Sequence, residues 1–200
     1  MTADSIPFQS DTAGISSEAT DSAQRILAAA DILLKQGESL LGGLTPETYA
    51  LRVATVLNGS IGGHYRHCLD HFVSLLRGAN RAFIDFDERA RDVRVESDPT
   101  FAIRTTQEIR MALRDWSPSM MSIAVGARCE VSYQNGDAPV TGSTLGRELV
   151  YAITHAIHHY ALISVIARLQ GIELPADFGV APSTSAQQQR SATAASMPSR

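Results

Sequence analysis

Histidine is the side chain whose ordinary pKa lies nearest neutrality and whose ring nitrogens most often ligate metals. This sequence confines it to two places. Its six histidines form one group of His64, His67 and His71 and a second of His155, His158 and His159. His155 and His159 are four residues apart, so on a helix they project from one face, one turn apart. Two imidazoles held that way can chelate a single ion, as in the His-Glu-x-x-His helix of zinc proteases, although position 156 here is Ala. His158 points roughly 60–100° away from that pair and is the weaker candidate on its helix. A third ligand must come from the other group. His67 is the choice, with His64 and His71 in reserve. Three neutral imidazoles with an open fourth position make a catalytic-type zinc site, and the same set suits nickel, iron or copper. Such a site activates a water, or binds a thiol and deprotonates it. A ferritin-like di-iron site is not expected, because neither segment supplies the Glu-x-x-His pairs it requires.

A single histidine in a helix is more often structural than a ligand. The confinement of all six to two segments, with an i,i+4 pair inside an apolar run, shifts the weight towards metal binding. For His64, His71 and His158 taken singly, hydrogen bonding at the rim is the expected role. Cys68 falls on the core side of its helix and reads as a buried, inert thiol. Asp70, Glu148 and Tyr160 are open to two readings, orienting a ligand or ordinary surface and packing roles.

The elements that must position these residues are legible as periodicities. Ile26, Ala30, Leu33, Leu40 and Leu41 recur at helical spacing, which predicts a helix over about 18–41 that ends at Gly42-Gly43. Thr45-Pro46-Glu47 fits a short helical turn or a loop. Ser60 is a candidate N-cap for a second helix to about Arg77, with Ile61, Tyr65, Cys68, Leu69, Phe72, Leu75 and Leu76 as one stripe and the three histidines on its flank. Residues 81–97 mix acids and arginines and read as a solvated crossover. Asp98-Pro99 opens a third helix to about Trp116. The alternation of Ile123, Val125, Ala127, Cys129, Val131 and Tyr133 predicts a strand, Asn135-Gly136 a hairpin turn, and Pro139-Val140-Thr141 a short return strand. The last helix starts near Ser143 or Thr144 and stops at Gly171. The expected fold is therefore all-α: a four-helix bundle over 19–178, with a long crossover between the second and third helices and a small β-hairpin before the last. Residues 1–18 and 179–200 are polar and aperiodic and read as disordered tails.

Composition narrows the function classes. The chain of 200 residues is 44% hydrophobic and 19% charged, with net charge −4, so no basic field invites nucleic acid. The two cysteines, Cys68 and Cys129, form no disulfide framework. The start lacks the pattern of a signal peptide, and the apolar run from Leu149 to Leu169 is interrupted by histidines and Arg168, which makes it a poor membrane span. A cytoplasmic protein is expected, with no membrane or nucleic-acid partner.

Two segments carry a family likeness. Ser60-Ile61-Gly62-Gly63-His64-Tyr65-Arg66-His67-Cys68-Leu69-Asp70, with the later His155-Ala156-Ile157-His158-His159-Tyr160-Ala161-Leu162-Ile163, resembles the DinB-like (damage-inducible) superfamily. The resemblance implies a four-helix bundle with a three-histidine metal site, one ligand on the second helix and two on the last in a His-x-x-x-His pattern. Carried over residue by residue, it implies His67, His155 and His159. The Arg-Gly that usually follows the last histidine in that family is Tyr160-Ala161 here, and the charged link and the hairpin have no counterpart in its well-characterised members. Relatives in that superfamily include thiol-dependent S-transferases and isomerases.

The leading expectation is a metal-dependent thiol S-transferase. Its one divalent ion, zinc foremost with nickel or iron as alternatives, would hold a low-molecular-weight thiol as thiolate for attack on an electrophile. A metal-dependent hydrolase is the second reading. The third is a metal-binding or structural helical homodimer without turnover, for which a sealed site would be the mark.

Overall fold

The computed structural model describes residues 12–134 and 136–195. Seven helices are present among them. They are α1 (Thr12–Leu41), α2 (Pro46–Ala50), α3 (Ile61–Ala79), α4 (Val93–Ser97), α5 (Pro99–Arg114), α6 (Leu145–Leu169) and α7 (Pro182–Ala195). Three short strands, β1 (Phe83–Asp85), β2 (Ala124–Arg128) and β3 (Val140–Thr144), form one sheet in the order β1-β2-β3. The protein is mostly helical with a small sheet.

The helix starts follow capping chemistry. The Oγ of Ser60 accepts the N–H of Gly63 at 2.9 Å, Asp98 accepts the N–H groups of Thr100 and Phe101, and Thr144 accepts that of Arg147. Each satisfies donors that a helix start otherwise leaves orphaned. Thr45 caps α2 in the same way, so the segment that fitted either a turn or a loop is a short helix.

The long helices α1, α3, α5 and α6 share one core, with α3 lying along α6 and α1 against both α5 and α6. Leu34, Leu41, Tyr65, Leu69, Phe72, Leu149, Ala156, Tyr160 and Ile163 are fully buried there. Gly37 is what lets α1 approach. A Cβ at that position would overlap the Tyr160 hydroxyl and the Tyr65 ring. Tyr160 uses its hydroxyl to donate to the carbonyl of Leu33 at 3.2 Å. The Tyr65 hydroxyl lies 2.8 Å from Thr106 Oγ1, which itself donates to Ala102 O. Four helices are thus pinned by two buried tyrosines whose polar tips are satisfied.

Several expectations need correction. The first helix begins at Thr12 rather than near 18, and residues 179–200, read as a disordered tail, contain α7; residues 1–11 and 196–200 lie outside the described residues. The 81–97 link is not a bare solvated crossover. It contains β1 and α4, and it buries Ile84, Phe86 and Val95 in the core. The strand expected over 123–133 ends at Arg128, and its return strand starts at Val140, so residues 129–139 make a longer connection than a tight turn. Asn135, of the expected turn, lies outside the described residues. The hairpin pairing itself is present, with Ala124 opposite Thr144 and Arg128 opposite Val140, and β1 adds a parallel third strand. Period-two patterning alone could not reveal that addition, because Phe83–Asp85 is only three residues long.

Candidate metal centre

The two histidine groups meet where α3 lies along α6. His67 on α3 and His155 and His159 on α6 each offer a ring nitrogen, and the three nitrogens lie within 4.8 Å of one another. His67 Nε2 is 2.9 Å from His155 Nε2. The ring centroids of His67 and His159, and of His155 and His159, are 4.6 Å apart. This trio is a set of side chains that could hold a metal ion. All three are half-buried.

Electrostatics keep these rings uncharged. Burial, then the neighbouring His71 and His159, pushes His67 down to about 2. Burial with His155 and His64 pushes His159 to about 3, and burial with His71 and His158 pushes His155 to about 4. A neutral imidazole is the form that ligates. The donor set therefore fits a borderline divalent ion that takes three nitrogens and an open position.

The reserve histidines take separate places. His64 Nδ1 lies 3.0 Å from His159 Nδ1, so one of the two rings donates to the other, while His64 Nε2 is buried without a partner among the described residues. That contact fixes His159 in the way an outer partner orients a ligating imidazole. His71 is buried and donates from Nδ1 to the carbonyl of His67 at 2.9 Å. Its ring lies 4.1 Å from that of His155. His158 is exposed, with its ring 5.4 Å from that of His159.

The residues open to an orienting role have their hydrogen-bond partners elsewhere. Asp70 is salt-bridged to Arg66 at 2.7 Å, Glu148 accepts from the Ser143 hydroxyl, and Tyr160 is engaged with Leu33. Burial raises the Cys68 thiol well above its ordinary range, which makes it inert.

Arg89 is the residue that sequence reasoning missed. It comes from the 81–97 segment, and its Nη1 lies 2.7 Å from His67 Nδ1. A guanidinium has no acceptor, so Arg89 donates and His67 Nδ1 accepts. Phe86 and Tyr151 close the other side, with Phe86 stacked 5.4 Å from His71 and Tyr151 5.7 Å from His155. An arginine in a run of mixed charges carries no periodic signal that would single it out.

A cleft of 450 Å³ opens beside the trio, bounded by Asn58, Arg66 and Glu96 and reaching His64, His67 and His159. Glu96 is the carboxylate in its wall, and it is held by Arg66 at 3.0 Å and Arg52 at 3.3 Å.

No family model matches the chain. It is 34% identical over 107 residues to FK506-binding protein 5 of Rhizopus delemar, a match that covers 50% of this chain and 26% of that protein. The chain thus spans about a quarter of the length of that relative.

Proposed function

We propose that the chain is a DinB-like four-helix bundle, built from α1, α3, α5 and α6, that binds one divalent ion at His67, His155 and His159 and catalyses thiol S-transfer. The observation that carries this reading is the convergence of three neutral imidazoles from two helices at one point beside an open cleft. Zinc is the ion this donor set suits best, ahead of nickel or iron. Bound there, it would supply Lewis acidity that lowers the pKa of a thiol or water in its open position.

The protein's own residues do the rest. His64 orients His159, and His71 packs on His155. Phe86 and Tyr151 keep water from the far side of the rings. The open cleft favours turnover over a sealed structural site. Thiol transfer is favoured over hydrolysis because hydrolysis wants a free general base. The carboxylate in the cleft wall, Glu96, is engaged by two arginines.

The test is stoichiometry followed by activity. Purified protein is titrated with zinc and its metal content measured. Consumption of a low-molecular-weight thiol by an alkylating electrophile is then followed with and without the ion. One ion per chain and metal-dependent conjugation are expected. Failure of the protein with all three histidines intact to retain zinc would sink the reading, and zinc binding with no conjugation would leave the non-catalytic metal protein.

A further inference from the structure

The stripe of α3 that carries His67 and His71 does not end with them. Ser74 and Gly78 continue it at helical spacing, and beyond the histidines it lines a second cleft, of 440 Å³, that the metal centre does not use. Three arginines converge on this cleft from separate places: Arg77 in the last turn of α3, Arg81 just past it, and Arg89 from the link that follows β1. The side chains of Arg77 and Arg81 have no ion-pair or hydrogen-bond partner among the described residues. The guanidinium of Arg89 makes its one hydrogen bond among the described residues through Nη1, to His67, and its Nε is buried without a partner. Two acids also line the cleft. Asp85 is already committed, its Oδ1 to the N–H groups of Asp87 and Glu88 and its Oδ2 to Arg128. The carboxylate of Glu88 is exposed and has no ion-pair or hydrogen-bond partner among the described residues. Cations at the end of a helix suit its dipole, and that alone would explain Arg77 and Arg81. It does not explain a third guanidinium brought in from another element with a buried, unused donor.

We infer that this cleft binds the anionic group, a carboxylate or a phosphoryl group, of a small molecule. Guanidinium groups recognise both through paired, charge-assisted N–H donors. Ser74 is seven residues past His67, about 10 Å along the helix axis. An anion held by Arg77 and Arg81 would thus leave the other end of a small molecule within reach of the trio, with Arg89 touching both sites. In assigning that molecule as the substrate, the inference rests on the proposed function; the anion site itself does not.

The experiment uses the full chain and two probes, inorganic phosphate and succinate, with binding read by calorimetry at low salt. Three variants are compared with the parent: Arg77→Gln/Arg81→Gln, Glu88→Gln and His155→Ala. At least one probe is expected to bind, with an affinity that falls at least tenfold in the double arginine variant, holds or improves in Glu88→Gln, and is kept in His155→Ala. Which probe binds tells phosphoryl from carboxylate recognition. The arginines are exposed, so circular dichroism of the double variant should match the parent. No binding of either probe, or equal binding by the double arginine variant, would overturn the inference. Loss of binding in His155→Ala would also overturn it, because the anion would then belong to the metal centre. Zinc content, measured on the same samples, tests the metal reading separately. A protein that holds phosphate but no zinc would keep this cleft and remove the reading it was joined to.

Discussion

The neutral histidine trio makes fold stability fall with acid, and the size of the fall can be worked out. An unfolded histidine takes its proton near 6.5. In the folded protein His155 takes it at about 4, His159 at about 3 and His67 at about 2. As pH drops through 6.5 the unfolded chain therefore binds protons that the folded chain refuses, and stability declines with falling pH until about 4, where His155 begins to protonate in place. For one fully shielded histidine, going from pH 7 to 5.5 costs about 1.3 kcal/mol by that linkage. These rings are only half-buried, so water screens them, and we take about half of that each, or roughly 2 kcal/mol for the three. With a urea m-value of about 2 kcal/mol per M, the midpoint should move down by about 1 M. The assay is urea unfolding by circular dichroism in EDTA at pH 7 and 5.5. His155→Ala should keep only about two-thirds of the shift. A midpoint that does not move between these pH values would refute the claim that the trio is held neutral by its surroundings.

Other consequences follow from the same geometry. His155→Ala should weaken zinc binding at least a hundredfold, beyond the ~10–100-fold typical of losing an outer partner, while His158→Ala, on an exposed ring, should change it less than threefold; competition with a chromogenic chelator reads both. Saturating zinc should raise the unfolding free energy by about 2.7 kcal/mol at one hundred times Kd and lose that gain on chelation, read as a shift in Tm. Gly37→Ala should destabilise the fold by about 1–3 kcal/mol, because its Cβ overlaps Tyr65 and Tyr160 in a packed core; urea unfolding at pH 7 measures it, and a neutral result would mean α1 can shift away at no cost.

How much of this was legible in the sequence depends on how each residue is carried. His67, His155 and His159 ride on long helices whose caps and apolar stripes are local signals. Ser60 and Thr144 mark where α3 and α6 begin, so the phase of each ring on its helix could be counted from the sequence. The facing of α3 against α6 then needs only that both bury their stripes. The 81–97 segment offers no such period. Ile84, Phe86 and Val95 are its buried residues, yet the first two stand among Asp85, Asp87, Glu88 and Arg89, and the charges dominate its composition. Its strand is set by a partner about forty residues later, Gly126 to Arg128, and such long-range pairing leaves no local trace.

That illegible segment also bears on how the centre must work. Arg89 donates to His67 Nδ1, which places the His67 proton on Nε2, the nitrogen that faces His155. An ion taken at Nε2 requires that nitrogen to be bare. In the neutral ring that ligates, the proton must then move to Nδ1, where it would confront the Arg89 N–H. Metal binding through Nε2 therefore has to break the Arg89 contact, and it brings a dication close to a guanidinium. A hydrogen bond to a charged group contributes about 1.5–3 kcal/mol, so Arg89→Ala should tighten zinc binding by about tenfold or more. Arg89→Lys, which keeps the charge but shortens the reach and loses the fork, should fall between. The measurement is zinc affinity by chelator competition at pH 7. Unchanged or weaker zinc binding in Arg89→Ala would mean that Arg89 supports the ligand rather than competing for it.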